Sequence, residues 1–235
     1  MLIDSHCHVY GFKIDELKNF KEVKIIGVAE DYESSIKNLE LSENFSNIVP
    51  FVGFHPWNIP DMRNKEIEMI IQLVKKSRGL GEIGLDKKFR EKYLDSQVKV
   101  FELFCDIASQ NNLPMNIHAL NSWEECFKTI TKYNVKRVLF HWYSGPTHLL
   151  KELYYQGYFI SINPAVVIQP KHRKILEEAE LEMILTESDG PYMYRGMYLN
   201  PSMIRDLLNF IAKVKGAKLE DVEKTIEENF SKFLG

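Results

Sequence analysis

Leu2-Ile3-Asp4-Ser5-His6-Cys7-His8 is an apolar run closed by a His-x-His pair, and its reading decides the fold. Side chains alternate along a strand, so His6 and His8 share one face while Cys7 points to the other. If the histidines face a common axis, Cys7 packs outward and is no ligand. Working outward, seven more short apolar runs follow. The predicted strands cover residues 2–8, 24–30, 48–55, 80–86, 114–119, 137–143, 158–164 and 182–189. Longer amphipathic runs separate them; residues 91–111, for example, place Leu94, Val98, Phe101, Phe104 and Ala108 at helical spacing. Gly79, Gly157 and Pro114 stand where a helix should stop and the next strand begin. Eight such βα units predict an α/β fold closed as a TIM (β/α)8 barrel rather than an open sheet. Residues 219–233 read as an extra C-terminal helix that caps the barrel. No linker or low-complexity stretch divides residues 1–235, so a single domain is expected.

A buried barrel strand should be nearly all apolar, so polar residues in these runs need a reason. They fall at one end only. His6 and His8 close the first run, His55 the third and His118 the fifth; Glu82 sits late in the fourth, His141 near the end of the sixth, and Asp189 ends the eighth. The C-terminal ends of barrel strands form the catalytic face. A lone buried histidine is most simply a core residue with its hydrogen bonds satisfied, but six candidates on one rim point to a shared task. Imidazoles and carboxylates are the donor mix for divalent zinc, manganese or magnesium. Four histidines and two carboxylates exceed one tetrahedral site, which implies two divalent metal ions with Glu82 as the natural bridge. Two ions about 3.5–4 Å apart can activate a water between them and clamp attacking and leaving oxygens. Asp189 would then bind one metal and orient or deprotonate the water, making Asp189 and Glu82 the catalytic pair. Its plainer role would be to cap the helix that follows. His55 is expected behind the ligands, orienting one of them or a water.

Across the 235 residues, 45% are hydrophobic and the formal net charge is −3, so bulk charge marks neither a nucleic-acid nor a membrane binder. Three cysteines argue against a disulfide framework. The start of the chain lacks the basic and apolar regions of a secretory signal, and no stretch approaches the roughly 18 apolar residues of a membrane span. A soluble cytoplasmic protein with no obligatory protein partner is expected.

An anionic substrate would need local cations. Lys87, Lys88, Arg90 and Lys92 follow the fourth run, Lys171, Arg173 and Lys174 the seventh, and Arg195 the eighth. These can be ordinary solvated charges, but cations at a helix start oppose its dipole, and two such clusters suggest attraction of an anion. Arg195, Lys87 and Lys88 are the chosen substrate contacts, Arg195 for its bidentate fork. Trp57, Trp123, Trp142, Tyr143, Tyr192, Tyr194 and Tyr198 crowd the same rim, either as a lid or as platforms for bases. His148 and His172 lie in helical runs and read as surface residues; Cys105 and Cys126 read as core or interface residues.

Taken together, the chain resembles the TatD-type metal-dependent hydrolases of the amidohydrolase superfamily. The resemblance rests on Asp4-Ser5-His6-Cys7-His8, Gly53-Phe54-His55-Pro56, Gly81-Glu82-Ile83-Gly84-Leu85-Asp86, Asn116-Ile117-His118, Phe140-His141 and Glu187-Ser188-Asp189-Gly190-Pro191-Tyr192, ending at Asn229-Phe230-Ser231. It implies that His6, His8 and Asp189 bind one metal, His118 and His141 the other, and that Glu82 bridges them. It further implies phosphodiester hydrolysis at nucleic-acid ends, a deoxyribonuclease-like activity. Family members commonly carry an arginine after the fifth-strand histidine, where this chain has Ala119-Leu120-Asn121, and aromatics after the GLD turn, where it has Lys87 and Lys88. Met197 stands where a lysine is usual, and Asn200-Pro201 shortens the usual Asn-Glu-Pro. These departures lie in substrate loops and leave a second enzymatic reading: hydrolysis of an amide, lactone or cyclic imide in a small molecule. A histidinol-phosphatase-like barrel also opens with His-x-His but ends with Asp-x-His, unlike Ser188-Asp189-Gly190. A non-catalytic binding barrel predicts loss of ligands, and the set is complete.

Overall fold

The computed structural model describes residues 1–63 and 65–235. Eight parallel strands follow one another around a TIM barrel in chain order: β1 (Leu2–Cys7), β2 (Val23–Gly27), β3 (Ile48–Val52), β4 (Gly79–Asp86), β5 (Met115–Leu120), β6 (Val138–Phe140), β7 (Phe159–Ile162) and β8 (Ile184–Thr186). All eight strands read from the sequence are present. Nearly every residue in them is buried, as expected for a sheet covered on one face by helices and filled on the other by its own side chains.

The seam between β8 and β1 is closed largely by side chains. Thr186 Oγ1 donates to the Ile3 carbonyl at 2.6 Å and Ser5 Oγ to the Thr186 carbonyl at 2.9 Å. The Ser188 N–H donates to Asp4 Oδ1 at 2.9 Å. These buried hydroxyls and Asp4 supply bonds where the strand ladder does not reach, so their polarity is structural.

Several strands end earlier than the sequence pattern implied. His8, His55, His141 and Asp189 lie just past their strands, because barrel stagger leaves the last residues without a ladder neighbour. Their amides find other acceptors: His55 N–H bonds the Glu30 carbonyl at 2.8 Å, His141 N–H the Ile117 carbonyl at 3.1 Å and Asp189 N–H the His6 carbonyl at 3.0 Å.

The helices are α1 (Ile14–Leu17), α2 (Tyr32–Asn44), α3 (Glu66–Leu73), α4 (Leu94–Asn111), α5 (Trp123–Lys132), α6 (Thr147–Tyr155), α7 (Pro170–Glu178), α8 (Ile204–Lys215) and α9 (Leu219–Leu234). Local chemistry sets their ends. Asp31 caps α2 by accepting from Ser34 N–H at 2.8 Å. Asn112, at φ 49°, turns the chain out of α4. Buried Phe101, Phe104 and Ala108 hold α4 to the sheet through the spacing noted above. In α9, Asn229 Nδ2 donates to the carbonyls of Leu181 and Ile184 at 2.9 and 2.8 Å. Phe233 packs against Phe51 and Phe159, ring centroids 6.1 Å away in each case. Helix α9 therefore closes the N-terminal end of the barrel and leaves the opposite mouth open. Among the described residues no helix is long and apolar enough to cross a membrane.

A hairpin that the sequence reading did not anticipate, β9 (Tyr192–Tyr194) and β10 (Met197–Leu199), overhangs that mouth. Its two-residue turn is Arg195-Gly196, at φ 47° and 85°. Positive φ at both turn positions suits the twist of a tight hairpin, and Gly196 accommodates it without cost.

Candidate metal centre

The barrel delivers its polar residues to one point at the mouth. His6 rises from β1, Glu82 from β4 and His118 from β5, while His8, His55, His141 and Asp189 come from the loops just beyond their strands. Close backbone approach helps. Gly84 in β4 faces His118 in β5, and a Cβ at position 84 would sit 1.9 Å from the His118 carbonyl oxygen. Only glycine lets the two strands approach at this level.

Glu82 is 2% exposed and lies at the centre of the cluster. Its two oxygens face different histidines. Oε1 lies 2.8 Å from His118 Nδ1, 2.8 Å from His141 Nε2 and 3.2 Å from His55 Nε2. Oε2 lies 3.4 Å from His6 Nε2 and 3.6 Å from His8 Nε2. Asp189 Oδ1 completes the second group, 3.3 Å from His6 Nε2 and 3.4 Å from His8 Nε2. Ligand atoms of His6, His8 and Asp189 all lie within 4.8 Å of one another, as do those of His55, Glu82 and His118.

The far ring nitrogens are tied down, which decides where each lone pair points. His6 Nδ1 donates to Asn116 Oδ1 at 2.8 Å, so Nε2 carries the lone pair. That Nε2 is buried and has no hydrogen-bond partner among the described residues. His118 Nε2 donates to Asp86 Oδ2 at 3.1 Å, turning its Nδ1 toward Glu82. His55 differs: its Nδ1 accepts the Trp57 N–H at 3.2 Å, so its Nε2 is the protonated atom, 3.2 Å from His118 Nδ1 and 3.2 Å from Glu82 Oε1. The unpartnered His6 lone pair and the carboxylates converging on one buried space fit divalent cations, and orienting hydrogen bonds of this kind accompany ligand histidines.

Electrostatics follow from crowding. Burial pushes the Glu82 carboxyl up, but His55, His141 and His6 around it outweigh this and hold it well below the usual range. Burial disfavours charge on His118, yet Asp86 and Glu82 reverse the effect and raise it to about 9. Burial, then the neighbouring His6, lowers His141 to about 4. Asp86 accepts from His118, from Trp57 Nε1 at 2.5 Å and from the N–H groups of Lys88 and Phe89 at 2.8 and 2.7 Å. Burial opposes its ionisation, but these donors hold it at about 2. Protons and metal ions compete for the same nitrogens in such a cluster.

Sequence reasoning passed over several residues here. Asp86 and Asn116 were part of quoted motifs but had no role, although a polar residue in a buried strand was the available signal. Glu187 is fully buried and accepts from the Trp142 N–H at 2.8 Å and from Ser161 Oγ at 2.5 Å. Burial raises it to about 8. Glu30, at the end of the loop after β2, bonds Tyr10 beside His8. Cys7 is buried with its thiol donating to the Gly190 carbonyl at 3.3 Å, away from the cluster.

The loop residues divide. Arg195 is exposed at the hairpin tip, its guanidinium 5.4 Å from the Tyr194 ring centroid. Lys88 Nζ lies 5.0 Å from the Phe89 ring centroid. Lys87 is tied to Glu125 at 2.5 Å, and Arg173 and Lys174 pair with Glu177 and Glu178 one turn along α7. These last two form an ordinary solvated helix face. His148 is at the surface, as read; His172 is a correction. It is fully buried, its Nδ1 donating to the Tyr143 carbonyl at 2.9 Å and its Nε2 accepting the Asn163 N–H at 3.2 Å. The helical spacing did not reveal that α7 turns this position onto β7. Tyr143 is likewise buried rather than on the rim, its hydroxyl donating to the Pro146 carbonyl at 2.8 Å. Two aromatic walls remain. Trp57 and Phe89 meet edge to face at 5.6 Å, and across the mouth Trp142 meets Tyr194 at 5.1 Å, with Gln169 accepting from Trp142 Nε1 at 3.1 Å.

Comparison with known proteins agrees with this architecture. In structure the chain is similar to the TatD homologue YjjV of Escherichia coli, with a TM-score of 0.89 at 21% identity, covering 99% of this chain and 97% of that one. In sequence it is 30% identical to an uncharacterized metal-dependent hydrolase of Methanocaldococcus jannaschii, over 99% of this chain and 96% of the relative. It is 26% identical to the human deoxyribonuclease TATDN3, over 99% and 94% respectively. The family model described as TatD related DNase matches residues 3–235. The chain belongs to the TatD-related DNase family of metal-dependent hydrolases.

Proposed function

We propose that this barrel hydrolyses phosphodiester bonds at nucleic-acid ends with two divalent ions. The observation that carries the reading is the division of labour at Glu82: Oε1 faces His118 and His141, and Oε2 faces His6 and His8. A carboxylate so placed would bridge two ions, one held by His6, His8 and Asp189 and the other by His118 and His141. Zinc, manganese and magnesium all suit this donor set. Such ions, when bound, supply Lewis-acid stabilisation of phosphoryl oxygens and a more acidic water.

The chain's own residues do the rest. Asp189 is kept ionised: burial opposes its charge, and His6 and His8 overcome this and hold it far below the usual carboxylate range. Its Oδ1 would orient the attacking water and take its proton. His55 would steady Glu82 through its Nε2–H. The walls formed by Trp57 and Phe89 and by Trp142 and Tyr194 would stack unpaired bases, and Arg195 and Lys88 would meet phosphates. The deoxyribonuclease name of the human relative supports the same substrate class. Three free, buried thiols support a reducing, cytoplasmic setting.

One observation favours the second reading, a small-molecule amidohydrolase or lactonase. Lys87, Arg173 and Lys174 are already paired with carboxylates, so fewer cations face the mouth than the sequence offered. The test is hydrolysis of end-labelled single-stranded DNA with added Mg, Mn or Zn, beside Asp189→Asn. Stepwise shortening by the native protein alone is expected. No cleavage with any metal, in protein that holds two ions, would move the assignment to a small-molecule ester or amide.

A further inference from the structure

We infer that Tyr10 and Glu30 form a relay that anchors the His8 ring and thereby governs cation affinity at the His6–His8–Asp189 position. The inference rests on the two-ion reading given above. His8 needs an anchor more than its neighbours do. The His6 side chain is wholly buried and gripped by Asn116, whereas the His8 side chain is 17% exposed at the rim. Packing alone leaves such a ring free to turn, and a turned ring or the other tautomer would withdraw the lone pair from the site.

The relay prevents this. The Tyr10 hydroxyl donates its proton to Glu30 Oε2, so its oxygen lone pairs remain available to accept. His8 Nδ1 lies 3.4 Å from that oxygen, a long bond, with the two rings edge to face at 5.8 Å and 84°. Nδ1 is therefore the protonated nitrogen and Nε2 the free one, directed at Asp189 Oδ1 and Glu82 Oε2. Glu30 is itself rigidly placed. Its carbonyl accepts from His55 N–H at 2.8 Å and Asn58 Nδ2 at 2.9 Å, and its N–H donates to Ser34 Oγ at 2.9 Å. The carboxylate end of the relay thus stands on the loop after β2 and the cap of α2, whereas Asp86, which anchors His118, stands on β4; the His55–Asn58 segment bonds to both. The two proposed ion positions consequently have separate supports.

Separate supports predict separate losses. Chelator-stripped protein would be titrated with cobalt(II), following both affinity and the visible spectrum of each bound equivalent. The native chain is expected to bind two equivalents. Tyr10→Phe, which removes a single oxygen, should weaken one step about tenfold, the lower end of the usual 10–100-fold cost of losing such an orienting partner, and leave the other step unchanged. Asp86→Asn should weaken the other step. Glu30→Gln should retain most of the affinity, because its amide oxygen still accepts the Tyr10 hydroxyl. The relay is overturned if Tyr10→Phe leaves both steps unchanged or weakens both equally. It is also overturned if Glu30→Gln costs more than Tyr10→Phe, which would make Glu30 a ligand in its own right. A native chain that binds one equivalent would overturn the two-ion reading instead, and the relay would then stand or fall on whether Tyr10→Phe weakens that one step.

Discussion

Asn116 Oδ1 accepts the His6 Nδ1–H at 2.8 Å, and the amide is oriented by its own Nδ2, which donates to the Ser5 carbonyl at 2.8 Å. The orientation leaves no choice: an amide turned the other way would set two acceptors and two donors against each other. Asn116→Leu keeps the volume and removes both bonds. Metal affinity should fall 10–100-fold, since His6 can then carry its proton on Nε2. The orphaned Ser5 carbonyl should cost about 1–3 kcal/mol of stability. Metal analysis and urea unfolding check the two parts, and undiminished affinity would mean that packing alone holds the His6 ring.

Glu82 supplies an oxygen to each group of histidines, so its loss should be felt at both. On the proposed two-ion reading, Glu82→Ala is expected to lower metal content from two equivalents toward none in dialysed protein. Loss of one equivalent with the other retained would show that Glu82 is no bridge. The variant should still fold, because β4 is held by its ladder to β5 and by Gln97, whose Oε1 accepts the Asp86 N–H at 2.7 Å.

Where the two walls hold bases, the loss should depend on the substrate. Trp57→Ala and Tyr194→Ala should each weaken binding of single-stranded DNA by about 1–3 kcal/mol, the worth of one stacked base. Neither should alter hydrolysis of a small phosphodiester that has no base. Arg195→Ala should weaken DNA binding more than Lys87→Ala, because Lys87 is already neutralised by Glu125. Equal losses on both substrates would place the aromatics in the fold rather than the binding surface.

The barrel was legible because its strands are buried on both faces and its polar residues gather at one end of them. His6, Glu82 and His118 could be placed by strand position alone. The supports behind them could not. Asn116 and Asp86 act across strands, so their partners are over thirty residues away and no local pattern pairs them. Gln97 sits on the buried face of α4, where a polar residue reads as a flaw in the apolar stripe until its three bonds to the Asp86 turn are seen. Tyr143 and the β9–β10 hairpin show the opposite limit. Aromatic composition brought them to the mouth, but whether a ring faces water or the core depends on the twist of the loop that carries it.

His172 offers a test away from the cluster. Burial lowers it from 6.5 to about 4, and its two hydrogen bonds define a neutral ring with the proton on Nδ1. The unfolded chain takes up a proton near pH 6.5 that the folded chain refuses until about pH 4. Its contribution is therefore complete above pH 6.5 and is lost as pH falls from there toward 4. By linkage the loss between about pH 7.5 and about pH 5 is on the order of 2 kcal/mol. His141 pulls in the same direction when the site holds no metal, so the measurement compares native protein with His172→Gln under the same metal load. Urea unfolding should show a native stability that drops by about 2 kcal/mol more than that of the variant over this interval. Parallel curves would mean that the folded chain accepts the proton at position 172, and that the link from α7 to the ends of β6 and β7 opens to admit it.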